Sequence, residues 1–368
     1  MKVKYTFYLV VSRLILILIL IFTSLQNSYC QTNIEKANEI ALKAVELMDE
    51  GKINEAISKL EEAINLDPKN SNYYYEIAVG YYRLGQYKEC LGILDALMKK
   101  KKPVGRYYQL IGNCLFKLNQ PDEAILTYEE GLNKFPDAVY LMYELGLANL
   151  NKNKFSQAII YFENGIKTDP TYSLNYYWAA KMYLNSNQGA WGIMYGEAFM
   201  NIERGTDRTE EMSKLIYNKY KTEIHFNHEN NTVNLSNSTP IAFEDIRKYD
   251  LPFETRIFEP LLLKSLKGEK EITIASLYRI RERYIDYYFN EKFDLIYNQP
   301  VLNYQHKIKL LGHFEAYNYW LFLMGDDPEF RKWLSENEEK WEQFINWFQL
   351  NPMEITTSNF LHKENIMK

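Results

Sequence analysis

Cysteine is scarce in this sequence: three residues in 368, and the first of them, Cys30, closes an apolar N-terminal segment. The remaining two, Cys90 and Cys114, make no disulfide framework and have no zinc-site spacing. Antiparallel packing of their helices leaves a bond in an oxidising envelope open, and two small buried thiols is the reading preferred. Histidine is almost as sparse, with five copies. His225 and His228 lie close together but lack a third ligand at a recognisable spacing, so no metal centre is expected. Positive charge is also in deficit, with 43 Lys and Arg against 48 Asp and Glu and a net charge of −5. A mildly acidic chain argues against nucleic acid as a partner. Missing too are a phosphate-cradling loop, a metalloprotease helix, a nucleophile elbow and a kinase signature. These absences lead to the expectation of a non-enzymatic protein without a cofactor.

The first thirty residues have the layout of a secretory signal peptide. Lys2 and Lys4 make a positive start, Leu14 to Phe22 is unbroken apolar sequence, and Ser28 and Cys30 stand at −3 and −1 of a cut before Gln31. Two other readings stay open. Tyr5 to Val11 extends the apolar run past Arg13 into an uncleaved anchor, and Cys30 is a candidate for lipidation, although Asn27-Ser28-Tyr29 makes a poor lipobox. A membrane is a partner only in those two cases. Cleavage removes Lys2, Lys4 and Arg13 and takes the net charge from −5 to −8. The expected location is the periplasm or envelope of a bacterium.

What the sequence does contain is a period. Pro68, Lys102, Pro136 and Pro170 are each 34 residues after the last. Such a period means an array of helix pairs. Aligned on it, five units start near Ala37, Ser71, Gly105, Val139 and Ser173. Small residues recur at the eighth position (Ala44, Ala78, Gly112, Gly146, Ala180) and the twentieth (Ala56, Cys90, Ala124, Ala158), where helices approach closely. Large apolar residues recur at the twenty-fourth: Leu60, Leu94, Tyr128 and Phe162. Gly51, Gly85, Asn119, Asn153 and Asn187 stand between the two helices of each unit and are read as left-handed closures. The prolines stop each second helix. In the fifth unit the register is read as failing near Trp191, where Gly192 and Gly196 replace bulkier residues.

On these residues, from about Asn33 to Gly205, the chain resembles the tetratricopeptide repeat family. The resemblance implies an all-α, helical-hairpin solenoid whose first helices line a groove for a protein or peptide partner. Carried over by register, the groove positions are Ala41 and Val45, then Tyr75, Val79 and Tyr82, then Gln109, Asn113 and Phe116. The fourth unit offers Tyr140, Tyr143 and Leu147, and the fifth Tyr177 and Lys181. Some members of the family grip a terminal carboxylate with Lys and Asn in the first helices. Here the Lys position is held by Ala41, Tyr75, Gln109, Tyr143 and Tyr177, so the groove is aromatic and apolar instead, suited to an apolar segment or amphipathic helix. The protein's own C-terminal half is the other candidate to fill it. Tyrosine, with 31 copies, supplies rigid contact area with a polar tip.

Domain organisation follows as signal peptide 1–30, repeat array 31–205, helix and polar linker 206–240, a smaller helical domain 241–352 and a tail 353–368. A short β-hairpin is expected near 223–236. Helices are expected over Glu254 to Leu266, interrupted or redirected at Pro260; from Thr273, as its cap; over Val301 to Met324; and from Pro328 to about Gln349. Within this half, Arg281, His313, Glu315 and Asn318 are read as a polar cluster, with packing rather than catalysis as its role. The functional expectation is a scaffold of the cell envelope holding a partner peptide or helix. A structural subunit of a larger envelope or secretion assembly is the alternative, and an enzyme with its site between Arg281, His313 and Glu315 a third reading.

Overall fold

The structure, a computed structural model, describes residues 32–100, 103–227, 231–236, 252–297 and 299–363. The signal-peptide segment, Lys102, His228 and the boundary expected near 240 lie outside the described residues. The chain divides into two compact units, 1–136 and 137–368.

The first unit is three helical hairpins: α1 (32–49) with α2 (Ile53–Leu66), α3 (Ser71–Arg83) with α4 (Tyr87–Met98), and α5 (Gly105–Lys117) with α6 (Pro121–Lys134). Second helices begin at Ile53, Tyr87 and Pro121, in strict 34-residue steps. Local chemistry sets that step. Gly51, Gly85 and Asn119 take φ of 79°, 75° and 62°, and the next residue's amide reaches back to a carbonyl five residues earlier: Lys52 to Leu47, Gln86 to Tyr81, Gln120 to Leu115, at 2.8–2.9 Å. This backbone closure satisfies carbonyls that the helix end leaves open. Inside each hairpin, a small residue on the first helix admits a large one from the second. At Gly112, a Cβ would stand 2.1 Å from the Tyr128 ring.

The second unit repeats the pattern in α7 (Val139–Asn151), α8 (Phe155–Thr168), α9 (Ser173–Leu184) and α10 (Gly189–Ile202). The register expected to fail near Trp191 does not fail. α10 starts 34 residues after α8, and α11 (Asp207–Glu223) starts 34 after α9. What changes is side-chain size, because α10 is buried on every side from Gly189 to Asn201. A Cβ at Gly192 would meet the Leu184 backbone nitrogen at 2.5 Å, and one at Gly196 the Met212 sulfur at 2.8 Å. These glycines mark close approach, not decay. Asn153 turns left-handed as expected, at φ 59°, but Asn187 has no positive φ. There the Ser186 hydroxyl holds the turn instead, accepting from the Gln188 amide and donating to the Tyr183 carbonyl.

Beyond α11, Ile224–His225 (β1) pairs antiparallel with Thr232–Val233 (β2). A wide π-turn at Glu254–Phe258 leads into α12 (Glu259–Ser265), so the helix passes through Pro260 rather than breaking there. The wider turn just before the ring accommodates its missing donor. Thr273 caps α13 (Ile274–Asn290) in a reciprocal box with Ser276. The single helix expected over 301–324 is two, α14 (Pro300–Leu310) and α15 (Phe314–Leu321), split by Gly312 at φ 77°. The helix expected from Pro328 is likewise two, α16 (Asp327–Glu336) and α17 (Glu338–Leu350). Asn337 divides them, its side-chain amide donating to the Trp333 carbonyl at 2.9 Å. Residues 353–363 return to the array, where the Lys363 amide donates to the Tyr195 hydroxyl and Leu361 is buried.

Three of the helices after α10 converge on Glu197, the one charged side chain in that helix. Its Oε1 accepts from Arg281 of α13 at 2.6 Å, Gln305 of α14 at 2.7 Å and Tyr317 of α15 at 2.7 Å. Asn201, one turn on, donates to the same Tyr317 hydroxyl. Burial works against the Arg281 charge, but Glu197 outweighs it and the guanidinium pKa is raised. Burial, then Glu197, pushes the Tyr317 phenol far up.

Two expectations follow. Gly146→Ala places a methyl 2.4 Å from the Phe162 ring, and overpacking of about 1–3 kcal/mol outweighs the ~1 kcal/mol that Ala gains over Gly in a helix. Adding Phe162→Leu recreates the Ala44–Leu60 combination of the first hairpin, so urea midpoints should fall for the single variant and recover for the double. Arg281→Met strands the buried Glu197 carboxylate and should cost about 3–5 kcal/mol. Pairing it with Glu197→Leu should return much of that loss in the same titration.

Candidate binding groove

Counted from each repeat's start, the groove positions are the fifth, ninth and twelfth, with Tyr140 at the second. In the first unit all but Val45 are half-buried. Ala41 is half-buried and Val45 exposed on α1, and with Asn38, Tyr73 and Glu76 they border a cavity of about 340 Å³. On α3, Tyr75 lies under the Arg106 guanidinium at 4.3 Å and 5.6 Å from the Tyr107 ring. Val79 and Tyr82 follow, half-buried, with Tyr82 5.5 Å from Tyr87. On α5, Gln109 and Phe116 are half-buried, while the Asn113 carboxamide accepts the Tyr128 hydroxyl of its own hairpin.

In the second unit, Tyr140, Tyr143 and Leu147 are half-buried on α7. Tyr143 sits edge-on to Tyr172 at 5.9 Å and accepts a hydrogen bond from Trp178, while burial raises its pKa. Tyr177 differs from the expectation. It is only 6% exposed, and its hydroxyl donates to Glu211. Lys181 reaches the same carboxylate at 2.7 Å and lies over the rings of Tyr177 and Trp178 at 5.0 and 5.1 Å. Burial would raise the Glu211 pKa, but the Lys181 and Tyr177 hydrogen bonds win and lower it. Glu211 stands 34 residues after Tyr177, at the same register position on α11. Carrying the register one helix further would have found it. Beside this trio, Leu150, Phe155, Ile159, Trp178 and Met182 line an apolar cavity of about 600 Å³ with Lys181 at its border.

Within the second unit, among the described residues, the partners of Tyr143, Tyr177 and Lys181 lie between residues 144 and 211. The C-terminal elements of that unit meet α10 and α11 through Glu197, Asn201, Ser213 and Tyr217, and residues 361–363 meet Tyr176 and Tyr183 of α9.

The four residues read as a C-terminal cluster do not meet. Arg281 is committed to Glu197. His313 stacks on Trp347 at 5.3 Å, and burial lowers its pKa. Glu315 accepts from Trp333 and Lys340, and Asn318 donates to the Phe314 carbonyl. The real polar centre, Glu197 with Arg281, Gln305, Tyr317 and Asn201, was missed. Its one signal in sequence is a lone acid in an apolar helix. The cavity beside it is about 20 Å³, room for a water and no substrate. Among the described residues, no group of His, Cys, Asp and Glu has the geometry of a metal site, and no helix is long and apolar enough to cross a membrane.

Comparison with known proteins bears on the repeats. Residues 49–131 match the family described as anaphase-promoting complex, cyclosome, subunit 3, and residues 110–173 match the tetratricopeptide repeat family. Similar solved structures include PilF of Pseudomonas aeruginosa, 16% identical over 52% of this chain and 86% of its own, with a TM-score of 0.44. PilW, described as a widely conserved type IV pilus biogenesis factor, is 18% identical over 50% and 84%, at 0.42. YrrB, described as having an unusual peptide-binding site, is 18% identical over 47% and 92%, at 0.33. No family match falls in the C-terminal half. Residues 49–173 are thus a tetratricopeptide-repeat region, built from the helical hairpins described above.

Proposed function

We propose that this protein is a non-catalytic scaffold of the bacterial envelope whose first helices hold an apolar peptide or amphipathic helix of a partner protein. The observation that carries this reading is the recurrence of half-buried aromatic side chains at the same register positions, Tyr75, Tyr82 and Phe116 in one unit and Tyr143, with Tyr140 beside it, in the other. Helical repeats of this kind are generally protein-interaction modules. Their first-helix faces suit helix-in-groove recognition, with anchors spaced three to four residues apart. In the second unit, the Lys181–Glu211 pair supplies a polar border to an otherwise aromatic strip, which would favour a ligand carrying few charges of its own. The envelope placement rests on the signal-peptide layout of residues 1–30.

Site-specific photo-cross-linking tests the face. With the cross-linker at Tyr82 or Tyr143, a discrete adduct should form in the envelope fraction of the cells that make the protein. At Leu126, 65% exposed on a second helix, it should not. Adducts from Leu126 alone would move binding to the outer face.

A further inference from the structure

We propose that Cys90 and Cys114 are joined by a disulfide in the mature protein, a covalent tie between the second and third hairpins. The Cys114 sulfur lies 3.3 Å from that of Cys90, and both residues are fully buried. The chain has three cysteines in all, and Cys30 belongs to the expected signal peptide. The two that remain, 24 residues apart in sequence and on different hairpins, stand side by side. Packing does not require sulfur here. The twentieth position of one hairpin and the tenth of the next are held by Ala56 and Gly80 one repeat earlier, in the same register and with the same 24-residue offset. A pair of small residues therefore suffices at that place in the repeat, and paired thiols are a departure that calls for another reason.

The chemistry is thiol–disulfide exchange with a disulfide-bearing oxidant, such as a dithiol oxidase of the envelope or oxidised glutathione. One cysteine, as thiolate, attacks the oxidant's sulfur and expels a thiolate. The second cysteine then attacks the mixed disulfide at the first cysteine's sulfur and expels the other. Two thiols lose two protons and two electrons, and one oxidant disulfide becomes two thiols. The bond needs a sulfur–sulfur length of about 2.04 Å, so side-chain rotation must close roughly 1.3 Å from the present contact. Contact with Cys114 and burial push the Cys90 thiol pKa far up, which disfavours the attacking thiolate in the closed fold. Oxidation therefore belongs to the folding chain, before α4 and α5 close over the sulfurs, and the finished bond is shielded from reductants. Its consequence is local: it fixes the junction between two repeats, where a quasi-one-dimensional array would otherwise part.

The oxidising surroundings in the cell rest on the export reading, but the bond itself is tested without it. The full-length chain is unfolded, reduced and refolded with oxidised glutathione, then alkylated in denaturant. Neither Cys90 nor Cys114 should take a label until a reductant is added, and a peptide linking the two should appear on non-reducing digestion. Hydrogen exchange of the α4 and α5 amides should slow by about tenfold or more on oxidation. A Cys90→Ala chain should give no peptide linking positions 90 and 114, its Cys114 being free or carrying glutathione, and its hydrogen exchange should be unchanged by oxidant. Full labelling of both cysteines after oxidative refolding overturns the proposal. A bond formed in vitro but free thiols in protein taken directly from cells upholds the chemistry and overturns the export reading.

Discussion

The carboxylate of Glu197 is withdrawn from water at the middle of a helix that is itself buried on every side, and the second half of the molecule is arranged to receive it. A buried charge is tolerated only when paired and hydrogen-bonded. Here a single oxygen collects donors from α13, α14 and α15, helices that begin 72 to 112 residues after α10 ends, so the intervening chain must fold back onto it. Arg281 brings the matching charge, while Gln305 and Tyr317 complete the shell without adding one. The aromatic packing around it, Tyr317 against Phe344 and Phe348, and Trp320 against Phe348 at 4.7 Å, supplies the apolar burial that offsets the desolvation. An ion pair of this kind adds little net stability over a hydrophobic substitute. Its effect is to leave one acceptable arrangement of three helices.

That arrangement explains why the array ends as it does. In a free-standing repeat, the second helix keeps one face in water, as α8 does with Phe155 and Ile160 exposed. α10 keeps none. Its outward face is covered by the elements that bring Arg281 and Gln305, and α11 continues the register as one more first helix. The C-terminal helices reach this part of the unit through α10 and α11, by way of Glu197, Asn201, Ser213 and Tyr217. α11 extends the first-helix register: Glu211 arrives at the same register position as Tyr143 and Tyr177.

The legible part of the fold was the part set by neighbours in sequence. Helix starts at Ser71, Gly105, Val139 and Ser173 followed from turn residues and from small residues at fixed places, and the structure has helices beginning at those residues. The β-hairpin and the Thr273 cap were readable for the same reason. Breaks at Gly312 and Asn337 were not, because apolar periodicity continued across both and masked the turns. The Glu197 centre was illegible in a stronger sense. Its partners lie 84, 108 and 120 residues away, and no local pattern encodes a contact at that range. Among the residues read as groove positions, register could not tell that Tyr177 is closed by Glu211 while Tyr143 stays half-buried.

The glycines of α10 connect these levels. In the third and fourth hairpins, glycine on the first helix makes room for Tyr128 or Phe162 on the second, so interhelical volume is conserved by exchange. In the fifth, the twenty-fourth position is Gly196 and the eighth is Ala180, and no large residue compensates. Conserved spacing would leave a void, which close-packed interiors do not hold. The backbones close up instead, with Gly192 against the Leu184 main chain and Gly196 against Met212 and Ile216. α10 is thereby buried on every side from Gly189 to Asn201, packed against α9 and α11 by its glycines and joined to α13, α14 and α15 through Glu197. The loss of bulk that looks like decay of the repeat in sequence is therefore the mark of a helix enclosed by its neighbours.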